Sequence, residues 1–230
     1  MFKPLYRYCV HLPSIAGGLL IFTLTFMGGG PLPIRATEDR DAAERLFKQG
    51  VEQALIQNYG AAIADFTLVI DLGSALPEVY YNRGLARDRL GDIEGAVADY
   101  SMAIRLDPFD AAAFVNRGNL YSLQGDFRAA LRDFDRAIQA DPTRVTAYYN
   151  RGNTHYELGE FARAIADYNT CLQLVPDFAD AFVNRGLAYF QLGDRQRAQR
   201  DLNRASQLFL NQDNVAAYAE VLDRITGLEL

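Results

Sequence analysis

The fold is decided by Tyr80-Tyr81-Asn82-Arg83-Gly84. The phrase returns as Phe114-Val115-Asn116-Arg117-Gly118, Tyr148-Tyr149-Asn150-Arg151-Gly152 and Phe182-Val183-Asn184-Arg185-Gly186, at 34-residue intervals. A fixed period of that length marks a repeat architecture. Other columns keep the same beat. A glycine-acid pair follows (Gly91-Asp92, Gly125-Asp126, Gly159-Glu160, Gly193-Asp194), then a small residue (Ala96, Ala130, Ala164, Ala198), a bulky one (Tyr100, Phe134, Tyr168, Leu202), and Pro108, Pro142 or Pro176. Each unit holds two segments of about a dozen residues with apolar positions three and four apart, the amphipathic helix pattern. Glycine tolerates the left-handed end of the first helix, and the acid accepts bonds from the free N–H groups that open the second. A lone helix pair cannot bury its apolar face, so the units stack.

This column order resembles the tetratricopeptide repeat (TPR) family over residues 43–212. The resemblance implies an all-α, right-handed α-solenoid of five helix pairs at 43–76, 77–110, 111–144, 145–178 and 179–212, with a C-terminal capping helix at 214–227. The first repeat is degenerate: Gly50 is in register, but Lys48 and Gln49 replace Asn-Arg. Thr37 or Asp41 is expected to cap its first helix, which ends near Gln57; the second starts at Asn58, and Gly73 closes it. Pro77 then opens the next helix, where a missing N–H matters least. Asn214 is expected to cap the last helix, with Ala217, Val221, Leu222 and Ile225 turned to the fifth repeat.

Half of the 230 residues are apolar, ample for a core. A net charge of −6 argues against nucleic acid or anionic lipid as partner. Residues 1–36 carry Lys3 and Arg7, an apolar run, three glycines and Pro31 to Ala36, the layout of a secretory signal cleaved after Ala36. The rival reading is a membrane anchor at residues 12–28, the chain's only expected contact with lipid. Either way the solenoid, 37–230, is expected outside the cytoplasm, in a periplasm or a compartment like the thylakoid lumen. Bacterial TPR proteins with this wording, cyanobacterial ones among them, look similar.

The arginine of each phrase stands where the family usually has leucine, and an aspartate follows 16 residues later (Asp99, Asp133, Asp167, Asp201; Asp65 in the first repeat). Planar guanidinium suits shared carboxylates, so a ladder from Asp65 through Arg83, Asp99, Arg117 and onward is expected, as structural cement. The asparagines have two readings. In TPR proteins the concave groove commonly takes an extended peptide, and Asn82, Asn116, Asn150 and Asn184 would line it with Tyr81, Val115, Tyr149 and Val183. One turn further on lie Asp88, Arg89, Asn119, Asn153, Tyr156, Glu157, Phe190 and Gln191. Alternatively the amides bond between neighbouring repeats. The co-chaperone carboxylate clamp is not matched, because Phe47, Ala112, Thr146 and Asn116 or Asn150 fill its cationic columns.

Chemistry has little to stand on. His155 and Cys171 share a repeat, but Cys171 fills a small-residue column, and one His with one Cys makes no metal cluster. No catalytic residue, metal or cofactor is expected. The reading is a non-catalytic scaffold or assembly factor that binds protein or peptide. The alternative is a regulatory or recruiting subunit of an envelope or polysaccharide-export enzyme complex.

Overall fold

The computed structural model describes residues 34–73 and 75–228, the side chains of residues 34–37 apart. Among them are eleven α-helices and no strand: α1 (Ile34–Leu55), α2 (Tyr59–Asp71), α3 (Pro77–Arg89), α4 (Ile93–Leu106), α5 (Ala111–Leu123), α6 (Phe127–Ala140), α7 (Val145–Glu157), α8 (Phe161–Leu174), α9 (Ala179–Gln191), α10 (Arg195–Asn211) and α11 (Val215–Gly227). None is long and apolar enough to cross a membrane. The expected leader lies outside the described residues up to residue 33; Ile34 to Ala36 begin α1. That helix starts ahead of both expected caps, so neither Thr37 nor Asp41 caps it.

The described residues divide into two compact units, one up to Ala113 and one from Phe114. In the first, Phe47 and Val51 of α1, Phe66 and Val69 of α2, and Val79 and Ala86 of α3 form one core. In the second, α11 closes a core of Leu202, Ala205, Leu208, Phe209, Ala217 and Val221. Tyr218 and Ile225 pack against that core. The expectation for Leu222 is corrected: it faces solvent.

Local chemistry sets the helix ends. Gly91, Gly125, Gly159 and Gly193 all have positive φ, the left-handed turn a side chain would strain. Asp92, Asp126, Asp194 and Asn214 then accept from the backbone N–H three residues on. Glu160 departs from this column. Its carboxylate turns to His155 Nδ1 at 2.7 Å and Arg163 at 3.0 Å, which holds it below the usual range, His155 first and Arg163 second.

The glycine of the phrase is small because of the ring sixteen residues later. A Cβ on Gly152 would stand 2.8 Å from Tyr168 Cε1, and one on Gly118 would stand 2.8 Å from Phe134 Cε1. Tyr168 and Phe134 are fully buried, so the helices of a pair meet by seating a ring on bare backbone.

The arginines bond as expected within each repeat and otherwise than expected between repeats. Arg151 holds Asp167 with two bonds, 2.9 and 2.6 Å, and Arg185 holds Asp201 at 2.7 and 2.8 Å. Arg83 grips Asp99 and Arg117 grips Asp133 in the same fork. The second partner is not the preceding repeat's aspartate of the same column. Arg83 donates to Thr67 at 3.1 Å, Arg151 to Asp135 at 2.7 Å and Arg185 to Asn169 at 2.7 Å, each 16 residues earlier. The ladder therefore has two acceptor columns, because the fork fills one aspartate and leaves Nη1 for a residue two places further along the preceding helix.

Candidate functional site

The first unit presents less of the expected groove than the sequence suggests. Tyr81 is buried, its ring 5.8 Å from that of Tyr100. Asn82 is 1% exposed, and neither side-chain polar atom has a partner. Both are corrected from groove residues to interior ones. Asp88 and Arg89, at the end of α3, reach the surface, and burial pushes the Asp88 carboxyl up against the opposing pull of Arg89.

In the second unit Val115 and Tyr149 are likewise buried, Tyr149 with its ring 4.9 Å from Phe178 and 6.1 Å from Tyr168. Val183 packs against the terminal core. The amides follow the intramolecular reading. Asn150 Nδ2 donates to Asn119 Oδ1 at 2.7 Å. Asn184 Nδ2 donates to Asn153 Oδ1 at 2.9 Å and to Tyr149 Oη at 3.0 Å, while Tyr168 Oη donates to the same Asn153 oxygen at 2.8 Å. Asn116 is half-buried and engaged elsewhere in the chain. Asn150 and Asn184 are thus clasps between first helices. They do not form a free binding row, because each amide is spent on the preceding repeat.

What remains open to a guest lies one turn further along α7 and α9. Tyr156, Glu157 and Phe190 are half-exposed, and Gln191 is exposed. Tyr156 Oη accepts from Gln191 Nε2 at 3.5 Å, and its ring meets Phe161 edge-on at 5.2 Å. Burial raises the Tyr156 phenol pKa, so the group stays a neutral donor and acceptor at ordinary pH. Arg195 lies over the Phe190 ring at 5.6 Å. Two members were missed. Leu123, with half its surface exposed, stands one period before Glu157. Arg224 stands one period after Phe190, and its charge reaches Tyr156. Carrying the 34-residue count one step into α11 finds it.

This face offers rings, an amide and charges of both signs, on helices joined by the Asn119 and Asn153 clasps. It holds no activated nucleophile. Cys171 is buried, its thiol 3.6 Å from the Val145 carbonyl oxygen. His155 has carboxylates beside it, Glu160 at 2.7 Å and Asp167 at 4.0 Å. Among the described residues no cluster of His, Cys, Asp or Glu is placed to hold a metal ion.

The profile described as TPR repeat matches residues 88–125, 118–159 and 152–193, and the profile described as Tetratricopeptide repeat matches 179–211. The chain is similar to the crystal structure of MamA protein, with 22% identity and a TM-score of 0.69 over 76% of this chain and 95% of that one. It is similar to YrrB, described as a TPR protein with an unusual peptide-binding site, at 18% identity and TM-score 0.67 over 82% and 96%. MamA from Desulfovibrio magneticus RS-1 matches at 20% identity and TM-score 0.66 over 80% and 99%. No relative was found among curated protein sequences.

Proposed function

Because the chain belongs to the tetratricopeptide repeat family, we propose that it is a non-catalytic scaffold that binds a polypeptide on the surface of the first helices α7, α9 and α11. One observation carries this reading. Tyr156 and Phe190 stay half-exposed, with Leu123 exposed one period earlier, in a unit that buries Phe134, Tyr149, Tyr168 and Phe178, and Asn119 and Asn153 are already locked by their neighbours. Large, pre-ordered side chains lose little entropy on binding, which is why such residues dominate interfaces. The neighbouring structure with a peptide-binding site supports the class of ligand but not its identity. The tripartite layout of residues 1–36 supports action outside the cytoplasm, as an assembly factor for a complex there.

The test is photocrosslinking in intact cells from a benzoylphenylalanine placed at Gln191, followed by recovery of the adducts. The Tyr156→Ala/Phe190→Ala variant should lose the adducts while keeping its helical circular dichroism. Equal adducts from both proteins would move binding to another surface, and cell fractionation placing the chain in the cytoplasm would sink the exported reading.

A further inference from the structure

The second helices of unit 2 carry a charge pattern unrelated to that face. Arg151 joins Asp135 of α6 to Asp167 of α8, and Arg185 joins Asn169 of α8 to Asp201 of α10, so the three helices follow one another in that order. The carboxylates on these helices are Asp133, Asp135, Asp167 and Asp201. Each is bonded by Arg117, Arg151 or Arg185 from a first helix. Their own arginines are left without them.

Arg128, Arg132 and Arg136 of α6 and Arg200 and Arg204 of α10 are all exposed. Among the described residues Arg128, Arg132, Arg200 and Arg204 have no ion-pair or hydrogen-bond partner, and Arg136 reaches only Gln139. Arg163 and Arg197 find acids just outside their helices, Glu160 and Asp194. Arg132 and Arg136 occupy the same two repeat columns as Arg200 and Arg204, with uncharged Ala166 and Thr170 between them on α8. In unit 1 the corresponding helices differ: α2 has no basic residue and α4 has only Arg105.

We infer that the outer face of α6, α8 and α10 is a second docking surface, and that it takes an acidic polypeptide segment. The two arginine pairs sit two helix spacings apart, about 20 Å, a distance spanned by roughly six extended residues. Guanidinium forks read carboxylates in pairs. A long polyanion fits worse. It would run off the patch onto a chain whose net charge is −6, and screening over about 8–10 Å confines the attraction to the patch itself.

The experiment is fluorescence anisotropy of a labelled oligoglutamate peptide titrated with the full chain, beside labelled oligothymidylate and phosphatidylserine vesicles. The native protein should bind the peptide best. The Arg132→Gln/Arg136→Gln/Arg200→Gln/Arg204→Gln variant, folded by circular dichroism, should bind about tenfold more weakly. The two double variants, one per helix, should each lose part of that, which guards against a misfolded quadruple. Tyr156→Ala/Phe190→Ala should bind as the native protein does, so this surface and the proposed peptide face succeed or fail separately. No response to oligoglutamate, no loss in the arginine variants, or tighter binding of oligothymidylate or vesicles would each overturn the inference.

Discussion

Asn82→Leu should stabilise the protein, against the usual expectation for a repeated core position. Asn184 donates to Asn153 and Tyr149, which lie 31 and 35 residues earlier. The same two steps back from Asn82 reach Val51 and Phe47, both buried and apolar. Asn82 is therefore an amide sealed at 1% exposure with neither Oδ1 nor Nδ2 bonded. Leaving a buried polar group unpaired costs about 1–3 kcal/mol. Leucine removes both orphan groups in the same branched shape but a larger volume, so the gain of about 2–6 kcal/mol for the two groups is set against an overpacking term of about 1–3 kcal/mol, for a net gain of about 1–2 kcal/mol. Asn184→Leu removes a donor from Tyr149 Oη and one of two from Asn153 Oδ1, a loss of about 1–3 kcal/mol.

Urea unfolding followed by circular dichroism gives the comparison. The midpoint should rise for Asn82→Leu and fall for Asn184→Leu. Repeat arrays can unfold in parts, so hydrogen exchange of α1 and α3 amides should locate the gain in unit 1. If Asn82→Leu loses stability as Asn184→Leu does, Asn82 has a partner and the mismatch argument is wrong.

Asp65 is buried with Oδ2 unpaired and only Gln49 Nε2, at 3.4 Å, on Oδ1, and burial raises its pKa above 3.8. A carboxyl raised in the folded state contributes stability below its unfolded value and loses it as pH climbs through the folded value. Asp65→Asn should therefore stabilise at neutral pH, and urea midpoints of the two proteins should draw together in acid below 3.8. Arg151 offers a controlled contrast. Asp167→Asn, at a buried carboxylate, should cost about 3 kcal/mol, whereas Asp135→Asn, at an exposed one, should cost under about 1 kcal/mol; equal midpoint shifts would contradict this. Gly152→Ala sets a methyl 2.8 Å from the buried Tyr168 ring and should lower stability by about 1–3 kcal/mol, checked by thermal unfolding.

The period made the architecture legible because a repeat states the same packing problem several times over. Gly91, Asp92 and Pro77 took the roles their chemistry assigns, and α2 starts at Tyr59, one residue after the expected Asn58. Which side of a helix a residue faces was less legible. Tyr149 and Asn150 are adjacent in sequence, yet Tyr149 is swallowed by Tyr168 and Phe178 while Asn150 is half-exposed. A column count places residues along a helix but does not say how far the preceding repeat overhangs it. The arginine fork had the same defect, since Asp65 and Thr67 are both within a long side chain's reach and only geometry selects Thr67.

The seams between repeats explain why asparagine and arginine recur together. Within unit 2 each seam is closed by two polar clasps, one between first helices through an asparagine, and one between second helices through an arginine. Asn150–Asn119 goes with Arg151–Asp135, and Asn184–Asn153 with Arg185–Asn169. Clasps of this kind fix register, because a slipped helix would leave several buried polar groups unmet at once. The first seam of unit 1 keeps Arg83–Thr67 but has Phe47 and Val51 where the asparagine's partners belong. It is apolar on one edge and polar on the other, so its register rests on a single clasp. Local opening is drawn from the elements with the fewest packing partners, and α1, packed chiefly on α2, should exchange its amides ahead of α9, which packs on both α8 and α10.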